Sequence, residues 1–301
     1  YYIKELEIKK IYLSDINTSF IKKNIFFNKS TNKCTILKSD VVNKKSNIYN
    51  IKSVDIIIHA ATIASPTFYR KNPLKTAEAN VDGLKNLLNF SLKKKVKRIL
   101  FFSSSEIYGN PDKKNIPTKE FYNGNVSCLG PRACYDESKR FGETLCYIYN
   151  QVYKLPIRIV RPFNNYGPFL STKDKRLPSD LLGKIKENKD IIIYSNGKPK
   201  RTFCYIADAI CGYLNAIKYE KFDVFNIGNE DDEISVLRFS KIFKSVAEKN
   251  IGYKGKIIFK KSKDLDYLSD NPQRRKPCLE KSKKLLKYKP KIGVKEGITR
   301  Y

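Results

Sequence analysis

The sequence predicts an α/β fold, a doubly wound parallel sheet with a smaller C-terminal lobe, and three observations predict it. Short β-branched runs alternate with long helical stretches through the first half. Two of those runs, Ile56-Ile57-Ile58 and Ile99-Leu100-Phe101-Phe102, are apolar throughout instead of alternating. The rhythm then breaks after residue 164. Alternating β and α segments imply parallel strands joined by crossover helices. Continuous apolar runs belong to strands covered on both faces.

The elements follow in order. Candidate strands are Lys10–Asp15, Cys34–Val41, Val54–His59, Arg98–Ser104 and Pro156–Phe163. Between the last three lie Leu74–Lys95 and Ala133–Lys154, apolar at helical spacing and long enough for helices. Asn72-Pro73 opens the first, where the missing N–H of proline costs nothing. Asn164-Asn165-Tyr166-Gly167-Pro168 is a turn cluster, followed by a polar loop to Arg176. Beyond it come a helix near Pro178–Glu187, strands near Ile191–Tyr194 and Val224–Ile227, and helices at Ala207–Tyr219 and Val236–Lys249. The expected division is a first domain over 1–163 and a lobe over 164–301, interleaved with it. The lobe covers the carboxyl ends of the strands, where open α/β sheets bind ligands.

Composition narrows the function. The 301 residues are 41% hydrophobic and 30% charged, ordinary globular usage. No run approaches the roughly 18 apolar residues of a membrane span. Glu5 and Glu7 near the start suit neither a secretory signal nor a mitochondrial presequence. A cytoplasmic protein without a membrane partner is expected. Seven cysteines with no C-x-x-C pair, beside a single histidine, His59, argue for reduced thiols and against a metal site. The net charge of +30 comes from 48 Lys and 12 Arg spread along the whole chain. Such a surface attracts anionic partners, phosphorylated small molecules included. No recognition motif accompanies the charge, so no nucleic-acid partner is expected. The sequence contains no Met and opens on Tyr1-Tyr2 in what reads as the end of a helix. The chain is therefore expected to lack its natural start.

Two motifs carry chemistry. Tyr135-Asp136-Glu137-Ser138-Lys139 sets Tyr135 and Lys139 four apart, on one face of a helix. A free phenol, with a pKa of about 10, is a poor base at neutral pH. A nearby ammonium and a cationic nicotinamide favour the phenolate and lower that value. Alone, the spacing is a weak signal in a chain so rich in Tyr and Lys. Upstream, the strand Arg98–Ser104 runs into Ser103-Ser104-Ser105-Glu106-Ile107-Tyr108-Gly109, which puts hydroxyls and a carboxylate at a strand's carboxyl end. A donor to a reacting oxygen belongs there.

With these two motifs, the stretches His59-Ala60-Ala61, Ala64-Ser65-Pro66, Gly130-Pro131-Arg132-Ala133-Cys134-Tyr135-Asp136-Glu137, Arg161-Pro162-Phe163-Asn164-Asn165-Tyr166-Gly167-Pro168 and Asn271-Pro272-Gln273-Arg274-Arg275-Lys276-Pro277 resemble the extended short-chain dehydrogenase/reductase family. This is the NAD-dependent epimerase/dehydratase group, with a Rossmann-type NAD(P)-binding domain. The Gly-Pro-Arg-Ala-Cys-Tyr-Asp-Glu stretch and the Asn-Pro-Gln-Arg-Arg-Lys-Pro stretch are nearest its UDP-glucuronate decarboxylases. The resemblance implies that Tyr135 is the catalytic base and that Lys139 holds the nicotinamide ribose. It also implies that Ser104 hydrogen-bonds the sugar 4-hydroxyl and that Glu106 lies beside the sugar. Asp15 would bind the adenosine ribose, Asp40 and Val41 would flank the adenine, and Ala60 and Ala61 would lie against the cofactor with His59 packed beneath it. Ser65, Asn164, Arg176, Arg201 and Arg275 would meet the nucleotide diphosphate and sugar, a task that suits the arginine fork.

The implied reaction is decarboxylation of UDP-glucuronate to UDP-xylose through a 4-keto sugar, with NAD regenerated in each cycle. A 4-epimerase leaves Glu106 without a task. A 4,6-dehydratase lacks its acid, since Ser105 stands where it is needed. A catalytically silent nucleotide-sugar binder is a further alternative. Two departures stand out. The family's first βα unit, with its Gly-x-x-Gly-x-x-Gly loop, is absent, and no glycine precedes Gly83. Phe169 occupies a position where the decarboxylases usually carry Arg. The two long helices resemble the pair through which this family forms a homodimer.

Overall fold

The computed structural model describes residues 8–19, 21, 33–262, 266, 269 and 271–301. The expected helical character of Tyr1-Tyr2 lies outside the described residues.

Strands β1 (Ile11–Asp15) and β2 (Cys34–Lys38) pair in parallel. β3 (Ile56–His59), β4 (Arg98–Phe102), β5 (Ile157–Pro162) and β10 (Asp223–Ile227) form a four-stranded parallel sheet in the order β10-β5-β4-β3. The doubly wound reading is borne out, and β4 shows its physics. Ile99 and Phe101 face a cluster with Leu84, Leu88, Leu145, Cys146 and Ile159, while Leu100 faces Val160, Ala209, Tyr213 and Phe225 on the other side. Successive side chains point to opposite faces, so a run apolar at every position must be covered twice.

The expected helix over Leu74–Lys95 is interrupted. α1 (Pro66–Lys71) precedes α2 (Pro73–Glu78), which passes through a π turn at Ala79–Gly83 into α3 (Leu84–Lys93). Single π turns inside helices cluster at functional sites. Here the turn buries Asn80, whose Nδ2 donates to Ser138 Oγ at 2.8 Å. α4 (Ala133–Tyr153) follows, and its Gly142 lies against β4. A Cβ at Gly142 would come within 2.8 Å of the Phe101 ring, so the helix approaches the sheet only because that side chain is missing.

Three predicted strands end early. β2 stops at Lys38, β4 at Phe102 and β5 at Pro162. The residues beyond leave the ladder and carry the polar groups described below. In the second half, β6 (Asn165–Tyr166), α5 (Leu177–Lys186), β7 (Ile191–Ile193), β8 (Lys200–Arg201), β9 (Cys204–Tyr205) and α6 (Ile206–Lys218) precede β10. β11 (Ile234–Ser235), α7 (Val236–Ile251), β12 (Ile257–Phe259), β13 (Arg274–Arg275), α8 (Glu280–Leu286) and α9 (Val294–Arg300) complete it. Helix α6 returns to cover the main sheet, so the two halves interleave. A separate aromatic core of Tyr166, Phe203, Phe239 and Phe243 holds the rest of the second half together. Its Phe203 and Phe239 rings stack at 3.8 Å.

Candidate active site

β4 delivers the site. Ser103 and Ser104 leave the strand, and a one-turn helix over Ser105–Tyr108 begins with Ser104 Oγ accepting from the Glu106 amide at 3.1 Å. The turn closes at Gly109 (φ +59), where a Cβ would collide with the Asn125 carbonyl. Below it a buried network locks the strand end. Ser103 Oγ donates to Glu143 Oε1 at 2.5 Å, and Arg161 grips the same carboxylate from Nε at 2.8 Å and Nη2 at 2.6 Å. Arg161 Nη1 also donates to Tyr108 Oη at 2.6 Å.

α4 brings Tyr135 and Lys139 to this turn, both buried. The Tyr135 phenol lies near the Ser104 hydroxyl, which favours its ionised form, and its ring stacks on Tyr69 at 5.1 Å. Lys139 Nζ donates to the Phe102 carbonyl at 2.8 Å and lies 5.9 Å from the Tyr135 ring centroid. The three residues from two distant motifs therefore converge. The expected lowering of the phenol is not realised in the protein alone. Burial pushes Tyr135 up to about 12, against the pull of the Ser104 hydroxyl. Burial also draws Lys139 down to about 7, so the ammonium that was to stabilise a phenolate is itself penalised by desolvation.

Glu106 lies at the centre of the charge. Its two carboxylate oxygens accept from Arg132 Nη2 and Arg275 Nη1, whose side chains are 8% and 4% exposed. Burial opposes ionisation, and the two guanidinium groups overcome it, holding the carboxyl below its usual range. Arg275 pairs in register with Arg201 on β8. Arg201 hydrogen-bonds Asn271 Oδ1 at 3.0 Å and the Pro272 carbonyl at 2.6 Å. Burial, then the neighbouring Arg275, draws Arg201 down to about 9. Arg132 stands three residues before Tyr135, inside a quoted motif, yet sequence reasoning gave it no role. Its signal was the Gly-Pro-Arg turn that opens α4, but only the fold sets it against a glutamate 26 residues away.

The remaining predicted residues spread around this centre. Ser65 Oγ donates to the Asp174 carbonyl, and Asp174 in turn holds Arg176, so Ser65 steadies the loop that carries Arg176. Arg176 is close enough to Tyr135 for the two to interact electrostatically. Asn164 takes a left-handed backbone (φ +42), and its Nδ2 donates to the Thr202 carbonyl at 2.9 Å. Phe169 is 59% exposed. On the other side, Asp15 ends β1 and Asp40 follows β2. Their carboxylates accept from the Asn17 and Val42 amides at 2.8 and 2.9 Å. The Val41 carbonyl is pinned by Tyr49 Oη at 2.6 Å and Asn86 Nδ2 at 3.2 Å. Ala60 and Ala61 are exposed just past β3. His59 is buried, stacked on Phe101 at 5.9 Å, and drawn down to about 3 by burial and then Lys139. It packs as a neutral ring, as expected.

Among the described residues, Ser39 Oγ, His59 Nε2 and Thr62 Oγ1 are buried without hydrogen-bond partners. All three sit at or just beyond the carboxyl ends of β2 and β3. Unpaired buried polar atoms at that edge suit a bound polar molecule.

The comparisons with known proteins agree with this geometry. The chain is 35% identical over 247 residues to UDP-glucuronic acid decarboxylase 1 of Xenopus tropicalis, covering 82% of the chain and 56% of that protein. It is 34% identical over 279 residues to UDP-glucuronic acid decarboxylase 1 of Arabidopsis thaliana, covering 93% of the chain and 60% of that protein. The chain thus spans less than two thirds of the length of these relatives. The UDP-glucose 4-epimerase of Thermotoga maritima shares the fold at a TM-score of 0.83 and 21% identity, over 99% of this chain and 91% of that one. A UDP-glucuronic acid 4-epimerase from Bacillus cereus, solved with UDP-glucuronic acid and NAD, does so at 0.79 and 23%, over 99% and 91%. The sequence profile of the NAD dependent epimerase/dehydratase family matches residues 15–228, and the chain belongs to that family.

Proposed function

We propose that the protein decarboxylates UDP-glucuronate to UDP-xylose, with NAD as a resident cofactor. The single observation that carries this reading is Glu106. It is a half-buried carboxylate held ionised between two buried guanidinium groups, near Tyr135 and Ser104 at the carboxyl end of β4. The identity to decarboxylases over most of the chain supports it.

The residues present fit the two ends of the cofactor. Lys139 and Tyr135 would hold the nicotinamide ribose, Asp15 the adenosine ribose, and Asp40 with Val41 the adenine. Ala60 and Ala61 would offer bare backbone beside the orphaned Thr62 and His59 atoms. When bound, NAD takes and returns a hydride at carbon 4 of the sugar.

The chain's own groups handle binding and protons. Tyr135 takes the proton of the 4-hydroxyl and gives it back at the end of the cycle, and Ser104 orients both oxygens. A phenol at about 12 holds its proton in the resting protein. A cation bound beside it lowers that value only when the cofactor is in place. Glu106 lies beside carbon 5, oriented by Arg132 and Arg275. Arg176, Arg201 and Asn164 would bind the diphosphate and sugar. Binding of the nucleotide away from the reacting carbons contributes the orientation that the chemistry needs.

Residues 1–163 are the cofactor domain in this reading, and 164–301 supply the sugar lobe. A cytoplasmic homodimer fits the exposed apolar residues Phe141, Ile148 and Val152 on α4. No helix among the described residues is long and apolar enough to cross a membrane.

The test uses the full-length gene product with NAD and UDP-glucuronate, followed by mass spectrometry of the nucleotide sugar. Loss of carbon dioxide to a UDP-pentose is the expected result. An unchanged mass overturns the reading, and an altered proton spectrum at unchanged mass would identify a 4-epimerase.

A further inference from the structure

Decarboxylation has a proton balance that the residues above do not close. The bond from carbon 5 to the carboxylate breaks, and its electron pair passes into the enolate formed with the 4-ketone. Carbon dioxide leaves, and a new C–H bond forms at carbon 5. The proton that Tyr135 removes from the 4-hydroxyl returns to the same oxygen. The net change is one carboxylate and one proton converted to carbon dioxide and a C–H bond, so each turnover consumes a proton from solvent. Glu106 is ill suited to supply it, because Arg132 and Arg275 hold its carboxyl ionised.

A second carboxylate stands behind the first. Asp136 is 4% exposed, and its Oδ1 has no hydrogen-bond partner. Its Oδ2 lies 3.4 Å from Nε of Arg132, whose Nη2 donates to Glu106. One guanidinium is thus shared by two carboxylates, one gripped closely and one loosely. Arg132 and Asp136 also form part of the wall of a cavity of about 370 Å³, with Asn110, Asn125, Ser127 and Asn271. At roughly 30 Å³ per molecule the space admits about ten waters, and its polar wall offers them partners. The same cavity touches Gly109, whose carbonyl accepts from Arg275 Nη2 at 3.3 Å, so it reaches Arg132 directly and the turn that Arg275 braces.

We infer that the proton consumed at carbon 5 enters through this cavity, with Asp136 as the group that holds it there in reserve. The inference rests on the decarboxylase reading. Asp136 acts through the cavity water and Arg132, not on the sugar, and is therefore a positioning residue. The charges around it make the reserve physically reasonable. Burial and then the Glu106 carboxylate raise the Asp136 carboxyl, while Arg132 and Arg275 pull it down, and the net direction is up. Tyr69 from α1 and Cys134 and Tyr135 from α4 are the other titratable groups facing it. An oxygen buried without a hydrogen-bond donor is what a carboxyl that carries a proton tolerates better than an ionised one.

The experiment compares wild type, Asp136→Asn and Asp136→Glu in the full-length protein with NAD and UDP-glucuronate. If wild type forms no UDP-pentose, the decarboxylase reading itself fails. If it does, Asp136→Asn is expected to lower kcat tenfold or more with KM unchanged, a part of the 10²–10⁴-fold that positioned proton transfer supplies. The active form of Asp136 is protonated, so wild-type kcat falls as pH rises through its titration. Asp136→Asn loses that alkaline limb, and Asp136→Glu restores it. A second readout needs no turnover: carboxyl NMR of the cofactor-free protein should show one Asp titrating well above the usual range, absent from Asp136→Asn. A wild-type kcat and pH profile in Asp136→Asn, or an Asp136 that titrates as an ordinary carboxylate, overturns the inference.

Discussion

The Glu143–Arg161 pair beneath the site gives a sharp test of how the catalytic turn is held. Replacing Arg161 with Met keeps an unbranched stem and removes the guanidinium with its charge. Both partners are largely buried, at 14% and 8% side-chain exposure, and meet in a two-pronged contact. Removing one member of such a pair strands the other charge without solvent and costs about 3–5 kcal/mol. Arg161 also loses its bonds to Tyr108 Oη and the Glu120 carbonyl, which places the expected loss at the upper end. Urea unfolding followed by circular dichroism would measure it, and at about 2–3 °C per kcal/mol the melting temperature should fall by about 10 °C. The double variant Glu143→Gln with Arg161→Met should lose less than the two single changes added together, because neither leaves a stranded charge. A loss below about 1 kcal/mol for Arg161→Met, or strict additivity in the double variant, would show that water reaches the pair and that the locked turn is a misreading.

Four further outcomes follow from the same geometry. Tyr135→Phe should reduce turnover by about 10²–10⁴-fold with little change in KM, since it removes the proton carrier and leaves the Tyr69 stack in place; steady-state kinetics would show this. His59 has a folded-state value of about 3 against 6.5 when unfolded, so the unfolded chain binds more protons between those values. Stability should therefore fall on acidification from pH 6.5 to 3 by about 1.4 kcal/mol per unit from this group, and His59→Phe should flatten that part of the unfolding profile. Gly142→Val should cost about 1–3 kcal/mol by thermal unfolding, because any Cβ there meets the Phe101 ring. Ile148→Glu on the exposed face of α4 should shift the proposed dimer to monomer in light scattering without loss of secondary structure.

Legibility from the sequence varied with the range of the interaction. The strands β3, β4 and β5 were visible because a strand covered on both faces is written as an unbroken apolar run, and α4 because its apolar positions recur at helical spacing. The carboxyl ends of β2, β4 and β5 were read too long. Ser39, Ser103 and Phe163 are compatible with a strand by residue type, and only pairing with a neighbour decides where a ladder stops. The π turn at Ala79–Gly83 was invisible, since it depends on Asn80 reaching Ser138, 58 residues further on.

The site divides in the same way. Residue types and spacing pointed to Tyr135, Lys139 and the hydroxyl-and-carboxylate turn after β4 as candidates, and it was the resemblance to the family that implied separate roles for Ser104 and Glu106. What tertiary structure alone decided is which charge meets which. Glu106 lies between Arg132 and Arg275, from segments 26 and 169 residues away, and Lys139 points to the Phe102 carbonyl. Ionisation followed from that placement: burial raised the phenol and lowered the ammonium, against the expectation from charge proximity alone. Sequence specifies which groups are present and, through periodicity, which face of an element they occupy. Desolvation and long-range ion pairing arise only when distant segments exclude water around them, and so belong to the folded chain.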